Sequence, residues 1–159
     1  MNIINLKAIK DAGYVMTAHL VIQEEPVAKG RPRAFYNKHV KRVATYTPKK
    51  TSSAENLIKL AFDNGCVRNN EDGQYFLWVQ TYMKIPKSAP KRKLHLMRDN
   101  TIRPTKKPDW DNLGKLPCDA LNGRAYSDDK CVVDAFVQKF YSDEPRTEIR
   151  IFKYQEEGA

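Results

Sequence analysis

Asp109 and Asp111 stand one residue apart, and Lys115 follows four residues after the second carboxylate. With a helix starting near Asp111, that spacing puts Lys115 on the same face as Asp111, one turn further along. A third acidic position, Asp129 in the pair Asp128-Asp129, lies shortly downstream. Carboxylates at this density repel one another unless positive charge sits between them. A divalent cation meets that need, and magnesium suits it best: it takes hard oxygen ligands, keeps several waters and is held by a few Asp side chains plus substrate phosphate. Asp109, Asp111 and Asp129 are the candidate ligands. Such a cation polarises a phosphodiester, lowers the pKa of an attacking water and neutralises charge on the leaving oxygen.

Three neighbours have weaker readings. Asp119 falls one turn after Lys115, so it is either an outer ligand of the metal or a carboxylate that orients Lys115. Asp128 reads as a turn residue. Asn112 is placed to bond the backbone or a metal-bound water. The cysteines Cys66, Cys118 and Cys131 are odd in number and at no metal-ligand spacing, which argues against zinc and against a disulfide framework.

A bare Asp-x-Asp is a weak signal. The ordered set Asp109-Trp110-Asp111-Asn112-Leu113, Lys115, Asp119-Ala120-Leu121-Asn122-Gly123 and Asp128-Asp129 is a strong one, and it resembles the signature of RusA-type Holliday junction resolvases. Those are small metal-dependent endonucleases of bacteria and their phages. Matching elements run from about Val15 to the last predicted strand, although only the central block is sharply diagnostic. The resemblance implies that the family's essential aspartates and lysine fall on Asp109, Asp111, Asp129 and Lys115. It also implies a homodimer acting on four-way DNA junctions, with ligatable 5′-phosphate and 3′-hydroxyl products. Family sequences usually carry an ordinary helix former where this chain has Pro117. Magnesium is the expected ion, with manganese left open as a substitute. Two rivals stand beside this reading: a nuclease for other branched or single-stranded DNA, and a nonenzymatic DNA-binding protein with a degenerate site.

Composition agrees with a nucleic-acid partner. The chain has 159 residues, enough for one domain with a real core over 1–159, and a formal net charge of +9. The basic residues are concentrated. Lys29, Arg31, Arg33, Lys38, Lys41 and Arg42 lead to Lys49-Lys50 in a Gly/Pro-interrupted stretch with Phe35, Tyr36, His39 and Tyr46 interleaved. That composition predicts a loop tracking a phosphate backbone, its aromatics against sugars or unstacked bases. A second basic stretch ends in Lys106-Lys107, directly before the aspartates. No apolar run is long enough to span a bilayer and the amino terminus lacks a signal-peptide segment, so a cytoplasmic protein is expected, with no membrane partner.

The elements that must position these residues follow from periodicity. Tyr14 to Glu24 alternates as a half-buried strand, with Met16, Ala18, Leu20 and Ile22 on one side and His19 on the polar side. A helix capped by Ser52 or Ser53 carries Ala54, Leu57, Ile58, Ala61 and Phe62 and stops at Asn64-Gly65. Tyr75 to Ile85, apolar on both faces, predicts a central strand. A short helix is weakly signalled around Lys91 to Met97. The site helix is expected from about Asp111 to Asn122, kinked or late-starting because of Pro117. Cys131 to Tyr141 reads as a strand buried on both faces, and Thr147 to Tyr154 as its hairpin partner. The expected fold is α/β (α+β): one domain, a mixed sheet with packed helices in the order β-α-β-α-β-β, RusA-like.

Overall fold

The strand Tyr75–Lys84 explains the rest of the architecture, because a strand apolar on both faces is stable only with a neighbour at each edge and a layer over each face. In the computed structural model, which describes residues 5–155, it has both. The elements in chain order are α1 (Leu6–Asp11), β1 (Tyr14–Ile22), β2 (Arg33–Asn37), β3 (Arg42–Tyr46), α2 (Lys49–Gly65), β4 (Tyr75–Lys84), α3 (Lys91–Arg98), α4 (Trp110–Ala120), a 3-10 turn (Asp129–Cys131), β5 (Val132–Ser142) and β6 (Arg146–Tyr154). The main sheet has the order β1-β6-β4-β5, with β4 and β5 parallel and the other pairs antiparallel. The result is an α+β fold around a mixed sheet.

One sheet face carries Leu20, Leu77, Val79, Ile149 and Ile151 against Ile58 and Phe62 of α2 and Leu116 and Ala120 of α4. Each such fully buried side chain stabilises the fold by roughly 1.5–3 kcal/mol. On the other face α1, capped by the Asn5 side chain, packs Ile9 with Phe76, Trp78 and Phe152. Helix α4 lies unusually close to β5: a side chain on Gly114 would meet Val137 Cγ2 at 2.7 Å, so the glycine sets the height of the site helix above the sheet.

Several expectations are corrected. Met16 is exposed because the β1–β6 register shifts between Met16 and Ala18, and the bulge breaks the alternation. Strand β6 does not pair with β5; it runs between β1 and β4, and the short connection from Ser142 to Arg146 passes over the end of β4. Strand β5 is consequently an edge, with Val133 53 % exposed, and is not buried on both faces. Helix α2 starts at Lys49 behind Pro48, before Ser52 and Ser53, and Leu57 of its expected stripe is exposed. Helix α4 starts at Trp110 and continues through Pro117, which is buried in the core, so the late start does not occur. The basic stretch is not a loop: β2 and β3 pair antiparallel as a hairpin with a fully paired register from Arg33–Tyr46 to Asn37–Arg42. The order therefore gains α1, β2, β3 and α3.

The sheet face bearing Trp78 holds a charged cluster. Glu148 accepts from Arg146 Nε at 2.8 Å and from Arg150 Nη2 at 2.7 Å. Burial pushes its carboxyl up, but the two guanidinium hydrogen bonds outweigh that, and its pKa lies below the ordinary 4.5. A depressed native pKa contributes stability that is complete above the unfolded value and is lost as pH falls through the native one. Thermal unfolding followed from about pH 7 to about pH 3 should show this acid loss. In Glu148→Gln that part of the curve flattens and stability near neutrality drops by about 1–3 kcal/mol; an unchanged acid limb would remove Glu148 from the account.

Candidate active site

Asp109 starts α4 directly after Pro108, occupying the N-cap with extended backbone (φ −73°, ψ 146°). The Asp109 backbone carbonyl accepts from Leu113 N at 3.2 Å, yet its carboxylate makes no capping bond and stays exposed. Asp111 lies in the first turn, also exposed, touched by Asn112 Nδ2 at 3.2 Å. Both carboxylates are favoured by the positive end of the helix dipole. The start of α4 thus presents two acids with free oxygen atoms.

Further along α4, Lys115 Nζ bonds Asp119 Oδ1 and Asp129 Oδ2, each at 2.8 Å. Those two hydrogen bonds hold the ammonium far above its usual pKa, so it is a cation at every working pH. Lys115 in turn holds the Asp129 carboxyl below the usual carboxylate range. Asp129 opens the 3-10 turn before β5, and Asp128 caps that turn by accepting from Lys130 N at 3.0 Å. Gly123 has φ +67°, a conformation that favours glycine, and its N–H bonds Tyr126 O at 2.9 Å. The Tyr126 hydroxyl, fully buried, donates to Cys118 O at 2.8 Å, which ties this return loop to α4.

Asp119 is also bridged. Its Oδ2 lies 2.9 Å from Lys29 Nζ, which bonds Glu55 of α2 as well. The Lys29 main chain donates to Asn112 O at 2.8 Å, so one residue touches both the first and the last turn of α4. Burial lowers the Lys29 pKa, but hydrogen bonds to Glu55 and Asp119 outweigh it and the net shift is upward.

A further lysine supports the acids from the sheet side. Lys139 of β5 donates to the carbonyls of Lys106 at 2.6 Å and Pro108 at 2.7 Å, gripping the segment on which Asp109 sits. Arg103 donates to Lys139 O at 2.7 Å and lies over the Phe140 ring, 4.2 Å from its centroid. Lys139, Lys106, Asp109, Trp110 and Asp111 line a shared hollow. Trp110 is 64 % exposed between the two aspartates.

The structure therefore brings Asp109 with Asp111, and Lys115 with Asp119 and Asp129. Among the described residues, no three Asp, Glu, His or Cys side chains are gathered closely enough to hold a metal ion. The available donors are nonetheless all carboxylate oxygens, a set that fits a hard cation needing one or two protein carboxylates and keeping its own waters. The other expected contacts lie outside the acids. Arg31, Arg33, Lys38, Lys41 and Arg42 are exposed on or beside the β2–β3 hairpin, together with Phe35, Tyr36 and Tyr46. Lys106 and Lys107 are exposed just before Asp109. All three cysteines are free, and among the described residues no helix is long and apolar enough to cross a membrane.

A helix-borne Asp-x-Asp, a lysine one turn on and a returning aspartate thus stand on an α+β scaffold. Residues 24–152 match the family Endodeoxyribonuclease RusA, and the chain belongs to that family. It is also 38 % identical over 129 residues, 80 % of this chain and 89 % of the relative, to the uncharacterized protein YqaN of Bacillus subtilis (strain 168). Sequence reasoning missed Glu55, Lys139 and the exposure of Trp110. Glu55 reads in the sequence as an ordinary charged helix residue and Lys139 as one on an alternating strand, so neither carries a local signal. Trp110 stood within the diagnostic block and was legible as a residue type only.

Proposed function

We propose that the protein is a magnesium-dependent, structure-selective endodeoxyribonuclease that resolves four-way junctions by paired symmetric nicks. The observation that carries this is the pairing, on one helix, of two uncapped carboxylates with a lysine anchored against Asp129. Asp109, Asp111 and Asp129 are the residues that would hold the cation, one or two directly and the remainder through its bound waters; when bound it would supply Lewis acidity toward the phosphate and an activated water, and manganese is a second ion to test. Lys115 presents a permanent positive charge beside the scissile phosphate and stabilises charge as it develops there. Asn112 and Asp119 orient Asp111 and Lys115, and Asp128 keeps the turn that carries Asp129. Lys106, Lys107 and the hairpin cations Arg31, Arg33, Lys38, Lys41 and Arg42 contact phosphates, which position the duplex arms without reading sequence.

Two cuts related by the symmetry of a junction call for two matched centres, which a two-fold homodimer provides. A second reading, cleavage of other branched or single-stranded DNA, is favoured by the exposed Phe35, Tyr36 and Trp110, since rings of this kind stack on unpaired bases. A substrate panel separates the two: junction, flap, single strand and linear duplex, each with magnesium and with chelator, for the unchanged protein and Asp111→Asn. Metal-dependent nicking of the junction alone, abolished in Asp111→Asn, is expected. Equal cutting of flaps or single strands selects the second reading, and junction binding without cutting under any metal leaves a binding protein.

A further inference from the structure

Helix α2 carries no residue of the expected nuclease centre, yet one of its side chains is wired to it. Glu55 bonds Lys29, Lys29 bonds Asp119, Asp119 bonds Lys115 and Lys115 bonds Asp129. The charges alternate along the whole line, from α2 through the segment before the hairpin to Lys115 and Asp129. The first three members are restrained rather than solvated: the side chains of Glu55, Lys29 and Asp119 are 16 %, 26 % and 22 % exposed, against 52 % for Lys115. An exposed lysine on a helix ordinarily samples many rotamers, and fixing it costs side-chain entropy. Here Asp119 and Asp129 fix it together, and Asp119 is itself fixed through its second oxygen by Lys29.

Resting on the reading of Lys115 as the ammonium beside the phosphate, we propose that Glu55 and Lys29 are positioning residues for Lys115. Glu55 divides the charge of Lys29 between two carboxylates. Without it the whole of that charge falls on Asp119, drawing Asp119 toward Lys29 and weakening its hold on Lys115. Lys29, whose main chain is already bonded to Asn112, is thereby a strut inside the protein rather than one of the phosphate contacts. The line also couples the α2–α4 packing to the reactive lysine, so the two helices cannot shift without moving it.

Two measurements test this. The first is kinetic: single-turnover nicking and binding of a four-way junction by Glu55→Gln, Glu55→Asp, Lys29→Met, Lys115→Ala and the double variant Glu55→Gln/Lys115→Ala. Glu55→Gln and Lys29→Met should each slow cleavage about 10- to 100-fold at unchanged junction affinity. Glu55→Asp should restore part of the rate, and Glu55→Gln should add nothing to Lys115→Ala, because residues acting through one group are not additive. A wild-type rate in Glu55→Gln, or full multiplication of the two losses, overturns the proposal. The second measurement needs no substrate and survives failure of the junction reading. The ammonium resonance of Lys115 in 15N-labelled free protein, assigned by its loss in Lys115→Ala, should be ordered in the unchanged protein and mobile in Glu55→Gln. Equal order in both overturns the positioning role whatever the enzyme cuts, and Glu55→Asp serves as the comparison where the glutamine variant fails to fold.

Discussion

Lys115→Ala is expected to bind a four-way junction as tightly as the unchanged protein and to cut it about 100-fold or more slowly. On the proposed reading, binding rests on many phosphate contacts spread over the hairpin and the segment before Asp109, so one ammonium would be a small part of it. The chemical step would differ, because charge accumulates at one phosphate and the proposal puts the Lys115 ammonium there. The substitution also deprives Asp119 and Asp129 of the cation they share. Asp119 stays paired with Lys29, but the freed Asp129 carboxylate attracts a divalent ion more strongly, so the loss of rate should not be recovered by adding magnesium. Single-turnover rates at saturating protein, set beside dissociation constants from gel shift, separate the terms. Equal falls in rate and affinity would make Lys115 a DNA contact, and an unchanged rate would remove it from the chemistry.

Lys139→Met carries the second large effect. The variant keeps the length and apolar stem of the side chain but leaves the carbonyls of Lys106 and Pro108 without their shared donor. Asp109 is the next residue, and it has no side-chain capping bond of its own to fix it. Cleavage should fall about 10- to 100-fold, as expected when support for a metal-binding residue is lost. Stability should fall by about 1–2 kcal/mol, because charge-assisted hydrogen bonds are lost from a half-buried site. The diagnostic result is a raised magnesium requirement: Lys139→Met regains rate at higher magnesium, whereas Lys115→Ala does not. Identical magnesium curves for Lys139→Met and the unchanged protein would show that the grip on Pro108 has no bearing on the acids.

How much of this could be read from the chain differs by element, for physical reasons. The start of α4 was legible because Asp109, Asp111, Lys115 and Asp119 fall at helical spacings beside apolar Leu113 and Leu116, so chemistry and periodicity agree. Strand β4 was legible because an apolar run on both faces has few places to go. The β2–β3 hairpin was not, since both its faces are exposed and a strand with no buried side leaves no alternation to detect. The order of β6 was misread because a short connection after β5 looks like a hairpin turn, whereas sheet order is decided by which edge of β4 is open. Helix α1 is only 6 residues long and its one buried residue is Ile9, too little for a periodic signal. Glu55 and Lys139 act through partners far along the chain, 26 residues away in one case and 31 and 33 in the other, and spacing cannot show such contacts.

The most direct test of the central claim is the product course on a supercoiled plasmid that extrudes a cruciform. A two-fold enzyme with two matched centres cuts both strands within one encounter. With magnesium the plasmid should pass straight to a linear form whose hairpin ends each carry a ligatable nick, and with chelator it should remain supercoiled. Accumulation of nicked circles that never become linear, or linear product formed without any divalent metal, would contradict the account.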